Sequence, residues 1–242
     1  MSLCTVKFKA AAIGKETAMN VLLPNKGRGP FPVMYLLHGL SDDYSTWLRL
    51  TRIEWHVWEL PLMVVMPDGD RSFYANSAQC GAYEDHIMKD VIGYVERTFP
   101  ASRKRRGRAI AGLSMGGYGA MMLGLKYARK FSVICSHSSA FRPDQLLANS
   151  PDGRLLYPVM RRKEYDCRAL ARAVAAKGPR PAVKIDCGTD DYLIEMNRAF
   201  HAYLGRIGFP HHYTEYPGVH NWNYWETHIQ ETIAFVMKHV KV

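Results

Sequence analysis

AGLSMGGYGA, residues Ala111 to Ala120, packs four glycines and one serine into ten positions. Glycine gives up more backbone entropy on folding than alanine does, so this density is costly at the entrance of a helix. A tight turn for close helix–strand packing would explain it. So would a nucleophilic serine held on a strained turn. Gly112-Leu113-Ser114-Met115-Gly116 matches G-x-S-x-G, a pattern that chance supplies in on the order of one chain in ten at ordinary glycine content. Its context is more specific, because the short run 108–111 reads as a strand and the residues after the serine read as a helix. Strand, turn and helix are what a nucleophile elbow requires, with Ser114 Oγ raised above a sheet and the Met115 N–H facing a developing oxyanion.

Further short apolar runs lie on either side. Residues 33–37, 62–66, 131–135, 182–186 and 211–216 read as strands, continuous enough to be buried in a mostly parallel sheet. Helical spacing falls between them: Ile87, Val91, Val95 and Phe99 in 83–99, Met121, Met122 and Leu125 after the serine, then Ile194, Phe200, Tyr203 and Leu204. Ile229, Ile233, Phe235 and Val236 close the chain. This alternation predicts an α/β fold, a doubly wound sheet with helices on both faces. Residues 3–23 around Gly14-Lys15 read as a leading antiparallel hairpin. The expected organisation is a single domain over 1–242, with 141–180 breaking the rhythm as a cap-like insertion.

The composition suits one enzyme-sized domain. Of 242 residues 48% are hydrophobic, enough for a large core. No apolar run approaches the roughly 20 residues of a membrane span, and MSLCTVKFKA lacks a hydrophobic signal core. Five cysteines without CxxC spacing suggest neither a disulfide framework nor a zinc site. The reading is reduced thiols in a cytoplasmic protein, with no metal and no cofactor. The net charge of +10 is concentrated partly in residues 103–108. That run reads as a solvated loop between helix and strand, because no nucleic-acid module surrounds it. The expected partner is a small-molecule ester, with no nucleic acid and no membrane, and a homo-oligomer is compatible with the sequence.

A serine hydroxyl needs a base, and the base needs an orienting acid. In sheets of this type the chain order is Ser, then Asp or Glu, then His. His38, His56 and His86 precede Ser114, and His137 comes too early to follow an acid loop. His211 and His212 sit on a strand, His228 and His239 on a helix. His220, in Tyr216-Pro217-Gly218-Val219-His220, lies in the loop after the last strand and is the candidate base. The acid should lie in Cys187-Gly188-Thr189-Asp190-Asp191, where spacing does not choose between the two carboxylates; Asp186 is read as structural. Gly39 permits close backbone approach after strand 33–37, making the Leu40 N–H the second oxyanion donor, with His38 bracing the loop. Asp68-Gly69-Asp70 reads as a turn. Tyr74, Trp222 and Trp225 are candidates for lining an acyl or alcohol pocket, with core packing as the alternative.

Five stretches, HGLSDDYSTW (38–47), PDGDRSFYANS (67–77), AGLSMGGYGA (111–120), CGTDDYL (187–193) and YPGVHNWNYW (216–225), resemble the esterase D-like group of α/β-hydrolases. That group includes S-formylglutathione hydrolases, tributyrin esterases, feruloyl and acetyl-xylan esterases, and mycolyltransferases. The HGL loop and the HNWNYW end look most like the tributyrin and acetyl esterase branch. The resemblance implies Ser114 as nucleophile, His220 as base, Asp191 rather than Asp190 as acid, and Leu40 and Met115 as oxyanion donors. It implies short-chain ester hydrolysis through an acyl-enzyme, with glutathione-thioester hydrolysis, feruloyl or acetyl-xylan hydrolysis and acyl transfer as alternatives. The loop after Gly39 lacks the threonine–cysteine pair expected of a glutathione-thioester hydrolase. The absence of a secretion signal weighs against the secreted members.

Overall fold

Every second side chain of Val33–Leu37 serves a different core. In the computed structural model, which describes residues 1–148 and 153–241, Val33, Tyr35 and Leu37 join one apolar cluster while Met34 and Leu36 join another. A strand whose two faces are both covered has no room for polar alternation, which is why the run is continuously apolar.

The strands are β1 (Ser2–Ala10), β2 (Lys15–Leu23), β3 (Val33–Leu37), β4 (Met63–Pro67), the short pair β5 (Asn76–Ser77) and β6 (Gly81–Ala82), β7 (Arg108–Leu113), β8 (Val133–His137), β9 (Ala182–Gly188) and β10 (His212–Tyr216). The helices are α1 (Thr46–Leu50), α2 (Ile53–Val57), α3 (Tyr83–Asp85), α4 (Ile92–Thr98), α5 (Met115–Lys126), α6 (Pro143–Leu147), α7 (Gly153–Met160), α8 (Cys167–Lys177), α9 (Ile194–Arg206) and α10 (Trp222–His239). Eight strands form one sheet in the order β1-β2-β4-β3-β7-β8-β9-β10. β2 pairs antiparallel with both β1 and β4, and the remaining pairs are parallel. Trp47, Ile53, Val57, Ile229 and Ile233 from α1, α2 and α10 cover one face. Val95, Met121, Leu125, Ala171 and Phe200 from α4, α5, α8 and α9 cover the other.

The predicted helix over 83–99 is interrupted. His86–Val91 between α3 and α4 is a π-helical turn, a one-residue widening that apolar periodicity does not register. It directs Asp90 at the hairpin turn, where the carboxylate accepts the Ala12 N–H at 2.9 Å and faces His86 Nδ1 at 3.4 Å.

The segment 141–180 divides in two. α8 places Ala171 and Val174 in the same cluster as α5, so it belongs to the helical layer and is no cap. Before it, Tyr165 is pinned by its carbonyl to the Tyr118 hydroxyl at 2.7 Å and by its own hydroxyl to Glu84 at 2.8 Å. Positions 149–152 lie outside the described residues. The basic run is likewise more than a solvated loop. Arg103 donates to the Glu96 carbonyl, Arg105 to that of Ala128, and Arg108 to that of Lys130 while also pairing with Glu96. Three of its cations therefore tie the last turn of α4 and the α5–β8 connection to the start of β7.

A buried charged cluster crosses the sheet. Lys184 Nζ meets Asp186 Oδ2 at 2.6 Å, and Asp186 Oδ1 meets His137 Nδ1 at 2.8 Å. His137 Nε2 faces Thr232 Oγ1 at 3.0 Å, and the Tyr224 hydroxyl donates to Asp186 at 3.2 Å. The cluster ties β8 and β9 to α10, which gives Asp186 its structural role. Among the described residues, no helix is long and apolar enough to cross a membrane.

Candidate active site

The carboxyl ends of β3, β7, β9 and β10 lie together, and each is followed by one of the loops singled out in the sequence. β7 stops at Leu113, and Ser114 turns the chain with φ 53° and ψ −115° before α5 begins. A side chain at positive φ of this kind costs on the order of 1–3 kcal/mol and persists only where its surroundings enforce it. Here the Ser114 N–H donates to the His137 carbonyl at 2.9 Å, and its own carbonyl accepts from Tyr118 and Ala140. The glycines on either side make the turn possible. A Cβ on Gly112 would strike the Gly116 carbonyl, and one on Gly116 would lie 2.5 Å from the carbonyl oxygens of Leu37 and His38.

His220 Nε2 stands 3.0 Å from Ser114 Oγ, and His220 Nδ1 stands 2.8 Å from Asp191 Oδ2. An ionised carboxylate only accepts, so in the neutral imidazole Nδ1 carries the proton and Nε2 is free to accept from the serine. The structure brings Asp191 to the imidazole. Asp190 is exposed, and among the described residues its carboxylate meets only the Thr189 hydroxyl, at 3.0 Å. Burial alone would push the Asp191 carboxyl up. Its bond to His220, the Leu193 N–H at 2.8 Å and the Ser138 hydroxyl outweigh that and hold it below the usual range.

The acid and histidine loops are laced together beyond their strands. Thr189 N–H donates to the Tyr216 carbonyl at 2.8 Å, and Asp190 N–H to that of Gly218 at 3.0 Å. Gly218 has φ +149°, and a Cβ there would meet the Tyr224 ring at 2.7 Å. Immediately after His220, Asn221 caps α10 by accepting the Tyr224 N–H at 3.0 Å. The imidazole is thus fixed between a constrained glycine and a capped helix.

The HGL loop lies against the serine, with a Cβ on Gly39 falling 3.8 Å from Ser114 Cβ. Three buried side chains hold its backbone. His38 Nε2 accepts the Gly69 N–H at 2.8 Å, the Trp47 indole donates to the Leu37 carbonyl at 3.2 Å, and the Tyr74 hydroxyl donates to the His38 carbonyl at 2.9 Å. Met115 is the first residue of α5, and no bond to its N–H or to that of Leu40 is formed among the described residues.

A cavity of about 410 Å³ opens over these groups, walled by Leu40, Tyr192, Trp222 and Trp225 as well as Ser114 and His220. Tyr74 does not line it, contrary to the sequence reading. It is fully buried beneath the HGL loop, and a Cβ on Gly119 would collide with its ring. Its aromatic body fills the space that the glycine leaves, so it holds the loop from beneath and does not reach the cavity. Trp222 stands edge-on to both Trp47 and Trp225 at 5.2 Å. Sequence reasoning passed over Tyr192, whose ring lies 4.6 Å from that of His220, although it directly follows the acid. It also passed over Ser138, which takes the Trp225 indole N–H at 3.2 Å and has φ 46°. No group of three or more metal-ligating side chains occurs among the described residues.

The family model described as "Putative esterase" matches residues 10–236. The chain belongs to this esterase family. It is 29% identical to an acetyl esterase of Caldicellulosiruptor saccharolyticus over 98% of its own length and 99% of the relative's. Among solved structures it is similar to Staphylococcus aureus FphF, a fluorophosphonate-binding serine hydrolase, with TM-score 0.90 and 33% identity over 97% and 98% of the two chains. An S-formylglutathione hydrolase, FrmB, of the same organism gives TM-score 0.88 and 33% identity, again over 97% and 98%. The esterase has the α/β-hydrolase fold and is a carboxylic ester hydrolase.

Proposed function

We propose that this esterase hydrolyses short-chain acyl esters by two-step acyl transfer at Ser114. The observation that carries the reading is the unbroken line from Ser114 Oγ through His220 to Asp191, at 3.0 and 2.8 Å, with the serine strained on its turn. Ser114 attacks the ester carbonyl while His220 Nε2 takes its proton, and Asp191 stabilises the resulting imidazolium. The Leu40 and Met115 N–H groups receive the oxyanion, aided by the N-terminal dipole of α5. His220 returns the proton to the departing alkoxide, and water repeats the sequence on the acyl-serine. A cavity of about 410 Å³ with indole walls suits a compact, apolar acyl group. All five cysteines are free thiols, which suits a reducing compartment, and we assign the enzyme to the cytoplasm.

Ser114→Ala should abolish turnover of p-nitrophenyl acetate, and a fluorophosphonate probe should label Ser114 in the parent only. Full activity in the variant would overturn the reading. A second reading, thioester hydrolysis, is favoured by the likeness to the S-formylglutathione hydrolase. Competition between S-formylglutathione and p-nitrophenyl acetate ranks the two, and product analysis with an added alcohol detects acyl transfer.

A further inference from the structure

Tyr192 forms part of the wall of two cavities. One holds Ser114 and His220; the other, of about 400 Å³, is lined by Phe141, Arg142, Gln145, Arg168, Glu195 and Phe200, among others. The two arginines of the second cavity differ in their partners. Arg142 is held in a two-point pair by Asp144 at 2.9 and 2.8 Å, while Glu195 meets Arg198 at 2.7 Å, a guanidinium that Glu215 shares. Arg168 forms no ion pair among the described residues. Its guanidinium stands 5.6 Å from the ring centre of Tyr203. Its main chain is fixed at both ends: the N–H donates to Asp166 Oδ1 at 2.8 Å, and the carbonyl accepts the Tyr203 hydroxyl at 3.0 Å. Beside it, Phe141 and Phe200 stack at 4.1 Å and supply an apolar floor.

An apolar floor beside a guanidinium that no carboxylate of the described residues engages fits a hydrocarbon arm that ends in a single negative charge. A carboxylate matches it, whereas a phosphate dianion would bring one charge too many. We propose that this second cavity is a subsite for a carboxylate-ended arm of the ester substrate, with Arg168 as its anchor and Tyr192 as the wall the arm passes. The proposal rests on the serine-esterase reading and deepens it.

The test uses ω-acetoxyalkanoates of increasing length, each compared with its own primary amide and read as acetate release, so that members of a pair match in shape and differ in charge. Monoesters of dicarboxylic acids, against the same monoesters with a primary amide in place of the free acid, probe the acyl side in the same way. The expected result is a length at which the carboxylate form has the higher kcat/KM, carried by KM and weakened by added salt. Arg168→Gln should lower that ratio about tenfold, as loss of a half-exposed charge-assisted bond does, and Arg168→Lys should restore part of it. Arg172→Gln, one turn along α8 and not part of the cavity wall, makes the same change in net charge and should leave the ratio unchanged. Absence of a carboxylate preference at every length overturns the proposal, as does an equal effect of Arg172→Gln. If the parent fails to hydrolyse even p-nitrophenyl acetate, it is the esterase reading that falls.

Discussion

Asp191→Asn replaces one oxygen by NH2 and leaves the shape of the side chain intact, so its cost isolates the orientation of His220. Both oxygens of Asp191 are in use: Oδ2 takes the His220 Nδ1–H and Oδ1 takes the Leu193 N–H, each at 2.8 Å. An amide offers only one carbonyl oxygen to these two donors. The backbone donor cannot turn away, so the oxygen stays with Leu193 and the NH2 faces His220 Nδ1. That nitrogen must then accept, which moves the imidazole proton to Nε2. A protonated Nε2 cannot take the proton of Ser114, whose Oγ stands 3.0 Å away. Wrong-tautomer substitutions of this kind in serine hydrolases cost ~10⁴ in kcat, which is about 5.5 kcal/mol at 1.36 kcal/mol per decade. KM should move by less than about threefold, because substrate binding does not use the carboxylate. The exposed Asp190 serves as the control, and Asp190→Asn should change kcat by less than about twofold. Steady-state hydrolysis of p-nitrophenyl acetate measures both, and urea midpoints confirm that the variants are folded. A loss smaller than tenfold for Asp191→Asn, or a larger loss for Asp190→Asn, would refute this account of the acid.

Other outcomes follow from the strain and from the buried polar groups. Ser114→Gly should be more stable than Ser114→Ala by about 1 kcal/mol, since relief of the positive φ exceeds the added unfolded-state entropy; equal urea midpoints would deny the strain. Tyr74→Phe should cost about 1–2 kcal/mol through the orphaned His38 carbonyl and lower kcat modestly, while KM for short esters stays constant; a large rise in KM would put Tyr74 back in the substrate pocket. Asp186→Asn should destabilise by about 2–4 kcal/mol at neutral pH, because it takes from the buried Lys184 the nearer of its two carboxylates and leaves only Glu231 at 3.8 Å; a loss under about 1 kcal/mol would contradict a buried pair. Burial would by itself raise the Asp186 carboxyl, but His137 and Lys184 hold it far below its ordinary value. Its contribution is therefore present above the unfolded carboxyl value of about 3.9 and is lost as pH falls through the folded one. The gap between parent and Asp186→Asn should accordingly narrow in acid urea titrations.

Much of this architecture was legible because one physical rule governs it. Strands covered on both faces are mostly apolar, so 33–37 and 62–66 announced themselves, and the order of loops after the later strands ranked the histidines. The choice between Asp190 and Asp191 was not legible from spacing, because adjacent residues on one turn differ only in the direction they point. Tyr74 was misread for a related reason. Whether an aromatic faces a cavity or a glycine depends on Gly119, forty-five residues later, whose missing Cβ leaves space for the ring. The anchoring of Arg103, Arg105 and Arg108 escaped notice because most of their partners are backbone carbonyls, which every sequence supplies. The π-helical turn left no apolar signature at all.

Ser114, Asp191 and His220 come from loops after three strands; Asp191 and His220 can meet once β9 and β10 pair, but Ser114 reaches them only when β7, β8, β9 and β10 lie side by side. Parallel strands pair only after long crossovers close, which is the slow step for folds of this type. With the proposed triad, ester hydrolysis reports assembly of the sheet from β3 to β10. In a refolding experiment it should lag behind the recovery of helical circular dichroism, and a chain cut between β8 and β9 should regain it only when both pieces reassociate.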